Sequence, residues 1–291
     1  MFHSLETGHL HVEVNDCGAE LSSIFSKKTK TEYLWQGDPA FWPGRAPVLF
    51  PIVGRLKDGK YSYGGKDYQM SIHGFATSAP FVTEGQLGDS LIFTYEDTKE
   101  TRAIYPFAFT FRVIYTLQWN VLETIYEVTN KTDGPMYFSF GSHEGYRCPR
   151  MAGESFNDYY LEFDHDNDYS ILKMSENLLL TDERVTLIEN GRRLPLNYDL
   201  FAGDSLTFAN IPSGKVILGS NKSSAKVEVN YDDAPNLVVW TRKNAPYVCI
   251  EPWYGLPDYD DTNGDLTKKR GIISLEKGGI FSWAHQITIY E

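Results

Sequence analysis

The segment FTFRVIYTL at residues 109–117 decides the fold class, because its side chains alternate between apolar and polar. Every odd-numbered residue in it is apolar or aromatic, and three of the four even-numbered residues are polar. A period of two residues is typical of a strand that buries one face and exposes the other. The segment therefore predicts a half-buried β-strand.

The same alternation recurs along the chain. It appears in HLHVEV (9–14), ETIYEV (123–128), KVEVNY (226–231) and QITIYE (286–291). Turn-forming sequences rich in Asn, Asp, Gly and Pro lie between such segments, at 15–16, 133–135, 232–235 and 277–279, as is typical of antiparallel sheets. No segment has a helical period over three turns, although SENLLLTDERVTL (175–187) could form a short helix. We expect an all-β fold, one large antiparallel β-sandwich domain over residues 1–291.

The composition excludes several classes of partner. The chain has 27 Lys and Arg against 39 Asp and Glu, a net charge of −12, and nucleic-acid binding is not expected because phosphate binding depends on a basic surface. Cys17, Cys148 and Cys249 form no C-x-x-C pair, so we expect reduced thiols in a cytoplasmic protein. The sequence has no secretion signal and no apolar run near the ~18 residues of a membrane helix, so membrane contact is not expected.

The stretch PMYFSFGSHEGYRCP (135–149) contains a candidate catalytic histidine. If 136–143 is a strand, Tyr137, Ser139, Gly141 and His143 share one face, which is nearly bare. Such a face leaves room for a polar ligand, whereas a core histidine normally has bulky neighbours and a fixed hydrogen-bond partner. On the residues alone, a catalytic and a structural role for this histidine both stay open.

The stretch VCIEPW (248–253) places a carboxylate at the end of an apolar strand. Glu251 comes directly before Pro252 and Trp253. Partial desolvation beside aromatic residues raises the pKa of a carboxyl toward the range of a general base. The alternative is an exposed glutamate at a strand end, with the proline simply ending the ladder.

Two glycine-containing stretches, LFPIVGRL (49–56) and SIHGFA (71–76), each contain one titratable side chain beside a glycine. Arg55 and His73 lie where the strand pattern breaks, and such loops often carry binding residues. A solvated arginine and a structural histidine are the alternatives. Four tryptophans lie in or beside these stretches and could pack on the apolar face of a sugar ring: Trp35, Trp42, Trp240 and Trp253.

Taken together and in this order, LFPIVGRL, SIHGFA, SFGSHEGYRCP and VCIEPW resemble the aldose 1-epimerase (mutarotase) family, and most nearly its bacterial LacX-like subgroup. The resemblance extends from the N-terminal HLHVEVNDCGAELSSIF to the last strand. It implies a galactose mutarotase-like β-supersandwich of antiparallel strands. It also implies an isomerase that interconverts the α and β anomers of free aldoses and needs no metal and no cofactor.

The resemblance further implies the site. Glu251 matches the base that removes the proton from the anomeric hydroxyl, and His143 matches the acid that protonates the ring oxygen. His73 and Arg55 match residues that hydrogen-bond sugar oxygens. Asp204, in AGDSLTF, corresponds to the family's substrate-holding aspartate.

One departure from the family pattern is Glu144, where many relatives carry an uncharged residue. We expect this carboxylate either to raise the pKa of His143 or to contact the sugar. Glu144 and Trp253 therefore join His73, Arg55 and Asp204 as predicted substrate-binding residues.

Other functions remain open at this stage. The expected substrate is an aldohexose such as galactose or glucose. A sugar phosphate would require Arg45, Arg55, Lys57 or Lys60 to converge on the phosphate. A sugar-binding or sugar-sensing protein without turnover has the same fold, and a glycoside hydrolase would need a second carboxylate, Glu144 or Asp204, facing Glu251.

Overall fold

The computed structural model describes all 291 residues, and its regular structure is almost entirely β-strand. The strands are β1 Phe2–Glu6, β2 Leu10–Asn15, β3 Glu20–Ser26, β4 Lys60–Tyr63, β5 Lys66–Gln69, β6 Val82–Leu87, β7 Ser90–Glu96, β8 Phe109–Gln118, β9 Val121–Asn130, β10 Met136–Phe138, β11 Phe140–Gly141, β12 Glu144–Arg147, β13 Tyr159–Met174, β14 Leu180–Pro195, β15 Leu206–Ala209, β16 Lys215–Ser220, β17 Lys226–Asn230, β18 Asn236–Trp240, β19 Tyr247–Tyr254, β20 Ile273–Leu275 and β21 Ile280–Tyr290. The one α-helix is α1, Lys99–Ile104, and short 3-10 helices lie at Lys57–Gly59, Ala76–Ser78, Phe156–Asp158, Tyr198–Phe201 and Leu266–Lys268. The predicted all-β class is confirmed.

Fourteen strands form one sheet, in the order β11-β19-β18-β15-β13-β16-β17-β21-β9-β8-β7-β6, with β12 paired to β19 and β14 paired to β13. Three smaller sheets contain β1-β2-β3, β4-β5 and β10-β20. All of these strand pairs are antiparallel.

The hairpin of β8 and β9 shows how alternation builds the core. β8 buries every odd-numbered residue from Phe109 to Leu117, and β9 buries every even-numbered residue from Leu122 to Asn130. The register pairs Phe111 with Val128, two buried residues. The apolar faces of both strands therefore lie on the same side and pack together.

One apolar core of 62 buried residues extends from Leu5 to Ile289. Strands from both ends of the sequence contribute to it, and the division of the chain into a single domain stays a prediction. None of the helices combines the length and the apolar character that a bilayer crossing requires.

Two segments differ from their predictions. Residues 175–187 hold no helix, because Leu180–Pro195 forms β14 and pairs with β13 in a long hairpin. Residues 136–143 are not one strand either. β10 ends at Phe138 and pairs with β20, whereas β11 covers only two residues of the large sheet, and His143 lies in the gap before β12.

Candidate active site

His143 and Glu251 face each other across two neighbouring antiparallel strands. β19 carries Glu251 and pairs with both β11 and β12, through Gly141 with Trp253 and Glu144 with Ile250. The two pairs share one register, so the position opposite Glu251 is His143. Directly opposite residues in an antiparallel pair project from the same face of the sheet, and this register brings the two side chains together.

The break in the ladder beside this pair has a local cause. Pro252 has no N–H to donate, although its carbonyl accepts a hydrogen bond from the Ser142 N–H at 3.2 Å. The Ser142 carbonyl instead accepts a hydrogen bond from the indole N–H of Trp253 at 3.1 Å. The tryptophan side chain thus replaces the missing backbone donor next to His143.

The imidazole and the carboxyl of this pair are buried and close. Nε2 of His143 lies 3.3 Å from Oε2 of Glu251, and the two residues are 7% and 1% exposed. Neither carboxyl oxygen of Glu251 has a hydrogen-bond partner in the protein, and Nδ1 of His143 has none either. Buried polar atoms are nearly always satisfied, so these unpaired atoms indicate a place for a polar ligand.

Burial shifts the proton equilibria of both groups. It raises the pKa of Glu251 well above the ordinary range of a carboxyl, and the negative charges of Glu144 and Asp204 raise it further. It lowers the pKa of His143 well below that of a free imidazole, and the neighbouring His73 adds to this effect. Both shifts favour the uncharged forms, so the predicted increase in the pKa of His143 beside Glu144 does not occur.

Two tryptophans enclose the imidazole. The ring of Trp42 stacks on His143 at 4.9 Å, and the ring of Trp240 meets it edge-on at 5.8 Å. The expectation of a bare face around this histidine is therefore wrong. These bulky neighbours come from distant parts of the chain, and they help to leave His143 only 7% exposed.

His73 is held by two hydrogen bonds to Gly54. Its backbone N–H donates to the Gly54 carbonyl at 2.9 Å, and its Nδ1 accepts from the Gly54 N–H at 3.1 Å. A neutral imidazole that accepts at Nδ1 carries its proton on Nε2. Burial and the charge of Arg55 lower the pKa of His73 to about 4, so near neutral pH this side chain is a hydrogen-bond donor through Nε2.

A buried ion pair supports the segment that carries Arg55. The Asp258 backbone N–H donates to the Arg55 carbonyl at 2.9 Å, and its carboxylate accepts from the Lys57 N–H at 2.9 Å. The Lys269 ammonium lies 2.5 Å from the same carboxylate, and both side chains are 4% exposed. Burial lowers the pKa of Lys269, although Asp258 opposes this shift. The pair thus fixes the loop behind Arg55.

Asp204 lies beside the tryptophans on the far side of the site. Its Oδ1 accepts a hydrogen bond from the Trp240 indole N–H at 3.1 Å. Its backbone has a φ of 94°. Residues other than glycine rarely adopt such a φ, and those that do are often found at ligand-binding sites.

These groups surround one cavity of about 660 Å³, within the range of small-molecule sites. Six of the seven predicted site residues line it: Arg55, His73, His143, Asp204, Glu251 and Trp253. Sequence reasoning missed Arg242, which also lines it, with its guanidinium 5.8 Å from the ring of Trp240. Neither Arg55 nor Arg242 has a side-chain hydrogen bond or an ion pair within the protein. Of the other proposed phosphate ligands, Lys57 and Lys60 line a different cavity.

Glu144 does not line the cavity, and its predicted contact with a sugar does not fit its position. Its side chain lies on the opposite face of β12 from His143, where it is 3% exposed. Its Oε2 accepts a hydrogen bond from the Ser142 hydroxyl at 2.6 Å, and its Oε1 lies 3.1 Å from Nε2 of His285. The alternation of strand side chains sends neighbouring residues to opposite faces, and that rule places this carboxylate in the core.

A buried thiol lies beside the His143 and Glu251 pair. One atom each of Cys249, His143 and Glu251 lie within 4.8 Å of one another. Burial raises the pKa of the Cys249 thiol well above its ordinary value, and the charge of Glu251 adds to this. The raised pKa keeps this thiol protonated beside the acid/base candidates.

Comparison with known proteins identifies the family of the chain. The family model described as aldose 1-epimerase matches residues 1–263. The chain belongs to the aldose 1-epimerase family. Among curated relatives, the chromosomal protein LacX of Lactococcus lactis subsp. lactis is 34% identical, over 98% of this chain and 93% of that protein.

Solved structures show the same fold. The galactose mutarotase related enzyme from Lactobacillus acidophilus is 37% identical, with a TM-score of 0.96 over 100% of this chain and 98% of that one. The galactose mutarotase-like protein from Lactobacillus casei ATCC 334 is 30% identical, with a TM-score of 0.94 over the whole of both chains. The predicted galactose mutarotase-like β-supersandwich of the aldose 1-epimerase family is therefore confirmed.

Proposed function

We propose that the protein is an aldose mutarotase that interconverts the α and β anomers of a hexose by acid/base ring opening and reclosure. The observation that carries this proposal is the pair of His143 and Glu251, two buried groups 3.3 Å apart with unpartnered polar atoms on a cavity wall. Mutarotation needs a proton donor and a proton acceptor at the same acetal, and this pair offers both.

In the proposed reaction, Glu251 removes the proton from the anomeric hydroxyl while His143 protonates the ring oxygen. The C1–O5 bond breaks, and the open-chain aldehyde rotates about C1–C2. Reclosure from the opposite face uses the same two groups with reversed roles. The number of protons on the pair is one before and after the cycle, so no outside acid or base is consumed.

The protonation of Glu251 and His143 fits this scheme with one added step. Because burial favours a neutral carboxyl and a neutral imidazole, the shared proton rests on Glu251. Ring opening starts from the form in which it has moved to His143 across 3.3 Å. Sugar hydroxyls and the charge of Arg55 supply polar contacts that stabilise this charged form.

The remaining cavity residues bind the sugar in this proposal. His73 donates through Nε2 to a sugar oxygen, and Arg55 stabilises the charge that develops near the ring oxygen. Asp204 accepts from a sugar hydroxyl, and Trp253 packs against the C–H face of the ring.

Polarimetry tests the proposal directly. Freshly dissolved α-glucose or α-galactose changes its optical rotation as it anomerises, and we expect the protein to accelerate this change. Glu251→Gln and His143→Asn remove one proton-transferring group each, and each should lower kcat by about 10²–10⁴-fold. Glu276→Gln and His9→Asn, two exposed substitutions of the same kinds, serve as controls and should keep the wild-type rate.

The competing function is sugar binding without turnover. If calorimetry detects sugar binding while the rotation of every aldose tried decays at the buffer rate, the binding-protein function is correct and the mutarotase proposal is wrong. Equal acceleration by wild type and by Glu251→Gln would also reject the proposed mechanism.

A phosphorylated hexose is the second candidate substrate, because two unpaired guanidinium groups, Arg55 and Arg242, line the same cavity. Unpaired cations in a cavity fit an anionic group, and arginine binds phosphate through charge-assisted hydrogen bonds. Calorimetry with a hexose and its 6-phosphate separates the candidates. We expect the phosphate to bind about tenfold more tightly if this candidate is correct.

The matched variants for this test are Arg242→Gln and the exposed Arg102→Gln. The first should remove the preference for the phosphate, and the second should leave it. Equal affinity of the wild-type protein for both ligands would exclude the phosphorylated substrate and leave the free aldose.

A further inference from the structure

A second buried pair of a carboxyl and an imidazole lies directly behind the first. Glu144 and His285 are 3% and 1% exposed, and their side chains approach to 3.1 Å. They lie on the core side of the sheet, whereas His143 and Glu251 lie on the cavity side. Taking a carboxyl out of water is unfavourable, and apolar residues of similar volume often stabilise a core as well or better. Stability alone therefore does not explain this pair.

A hydrogen bond joins the side chains of Ser142 and Glu144, the two neighbours of His143 in sequence. These two residues flank the histidine and project to the same face, and their side chains are joined at 2.6 Å. The backbone of Ser142 is also held on both sides, since its N–H donates to Pro252 and its carbonyl accepts from Trp253. The peptide unit before His143 and the side chains of both of its neighbours are thereby held, and with them the direction of its imidazole.

The surroundings of Glu144 leave its charge poorly screened. The titratable groups near enough to interact with its charge are Tyr115 from β8, Tyr126 from β9, Tyr146 from β12, Cys249 and Glu251 from β19, and His285 from β21. Only the imidazole of His285 can carry a positive charge among these. A carboxylate in such an apolar region acts on neighbouring groups more strongly than one in water.

We propose that Glu144 is a positioning residue for the His143 and Glu251 pair, which fixes the backbone around His143 through Ser142 and acts on the pair through its negative charge. This inference rests on the proposed mutarotase function. Glu144 does not line the cavity, and it acts through Ser142, two positions before it, and through Glu251, which follows its register partner Ile250. The charge of Glu144 is the second cause, after burial, of the raised pKa of Glu251.

Two substitutions separate the two parts of the proposal. Glu144→Gln keeps an oxygen that accepts from Ser142 and removes the charge. Ser142→Ala keeps the charge and removes the hydrogen bond. The first should change the proton affinity of the pair, and the second should change the orientation of His143 without changing that affinity.

The charge is tested without any need for activity. Carboxyl carbon NMR of the full-length protein, with the Glu251 resonance assigned by its loss in Glu251→Gln, gives the titration midpoint of this residue. We expect the midpoint to move to lower pH by about one unit in Glu144→Gln, and to stay in place in Ser142→Ala and in the exposed control Glu276→Gln. An unchanged midpoint in folded Glu144→Gln would overturn the charge effect even if the protein proved to be no mutarotase.

The positioning part is tested by kinetics. Ser142→Ala should lower kcat about tenfold with KM within about twofold, because binding residues are untouched while the acid is misdirected, and Ser142→Thr should restore most of the rate. A wild-type kcat in Ser142→Ala would overturn the positioning role. If Glu144→Gln does not fold, the kinetics of Ser142→Ala alone decide whether Glu144 positions His143. Absence of anomerisation by the wild-type protein would instead reject the proposed function, while the NMR result on Glu251 would still stand.

Discussion

Gly141 lies directly opposite Trp253 in the pairing of β11 with β19, and a methyl group on Gly141 would lie 2.4 Å from Cδ1 of the indole. No side chain fits at this distance, so the position next to Ser142 and His143 requires glycine. The close approach of backbone to indole is what lets Trp253 reach the Ser142 carbonyl. The glycine on β11 thus helps to place Trp253 beside His143.

Gly141→Ala is therefore expected to displace Trp253 and to lower the free energy of unfolding by about 1–3 kcal/mol. Denaturant unfolding measures this change. Gly8→Ala is the matched control, because no atom lies within 4 Å of the added methyl group, and it should leave stability nearly unchanged. Equal stability of the two variants would show that the indole moves aside without penalty.

Trp253→Phe tests the indole hydrogen bond itself. Phenylalanine keeps an aromatic ring but leaves the buried carbonyl of Ser142 without its donor, and an unsatisfied buried acceptor lowers stability by about 1–3 kcal/mol. The comparison is Trp119→Phe, where the native side chain is 72% exposed and a change within about 0.5 kcal/mol is expected. Losses of the same size at both positions would contradict the role assigned to the hydrogen bond.

Much of this architecture is visible in the sequence, since the alternation in β8 and β9 predicts both strands and their buried faces. The helix α1 is not predictable from periodicity, because six residues span less than two turns. It begins instead at a capping box of Thr98 and Thr101. The segment 175–187 is ambiguous by pattern alone, and pairing with β13 decides in favour of a strand.

The site is only partly predictable for a related reason. Local motifs indicate His143 and Glu251 as candidates, but the shared register that makes them opposite residues joins parts of the chain that are 108 positions apart in sequence. The aromatic enclosure by Trp42 comes from a separate loop. Arg242 has no local signal, since it looks like one of the exposed cations that follow β18.

His73 gives the folded protein a specific dependence on pH. Its pKa is about 4 in the folded protein, against 6.5 for an ordinary imidazole. Between these values the unfolded chain binds a proton that the folded chain does not, so the free energy of unfolding falls as pH drops from 6.5 toward 4. Above pH 6.5 the imidazole is neutral in both states and this loss is absent.

The measurement for His73 is denaturant unfolding at several values between pH 7 and pH 4. We expect His73→Gln to lose less stability than the wild type over this window, because the substituted residue does not titrate. His9→Gln, at an exposed histidine, should follow the wild-type curve. Parallel curves for wild type and His73→Gln would show that the imidazole is free to protonate in the folded state.

The buried ion pair of Asp258 and Lys269 holds the loop that carries Arg55. Lys269→Met leaves a buried carboxylate without its cation, and such a change lowers the free energy of unfolding by about 3–5 kcal/mol. Lys277→Met breaks the pair with Asp133, whose side chains are 67% and 91% exposed, and should have an effect of about 1 kcal/mol or less.

Adding Asp258→Asn to Lys269→Met removes the uncompensated charge while it keeps an oxygen for the Lys57 N–H. The double variant should therefore recover part of the lost stability. Its affinity for sugar, measured by calorimetry, should stay below that of the wild type, since the loop that carries Arg55 has lost its buried anchor. A Lys269→Met variant no less stable than Lys277→Met would mean that water reaches Asp258, and that the loop does not depend on this pair.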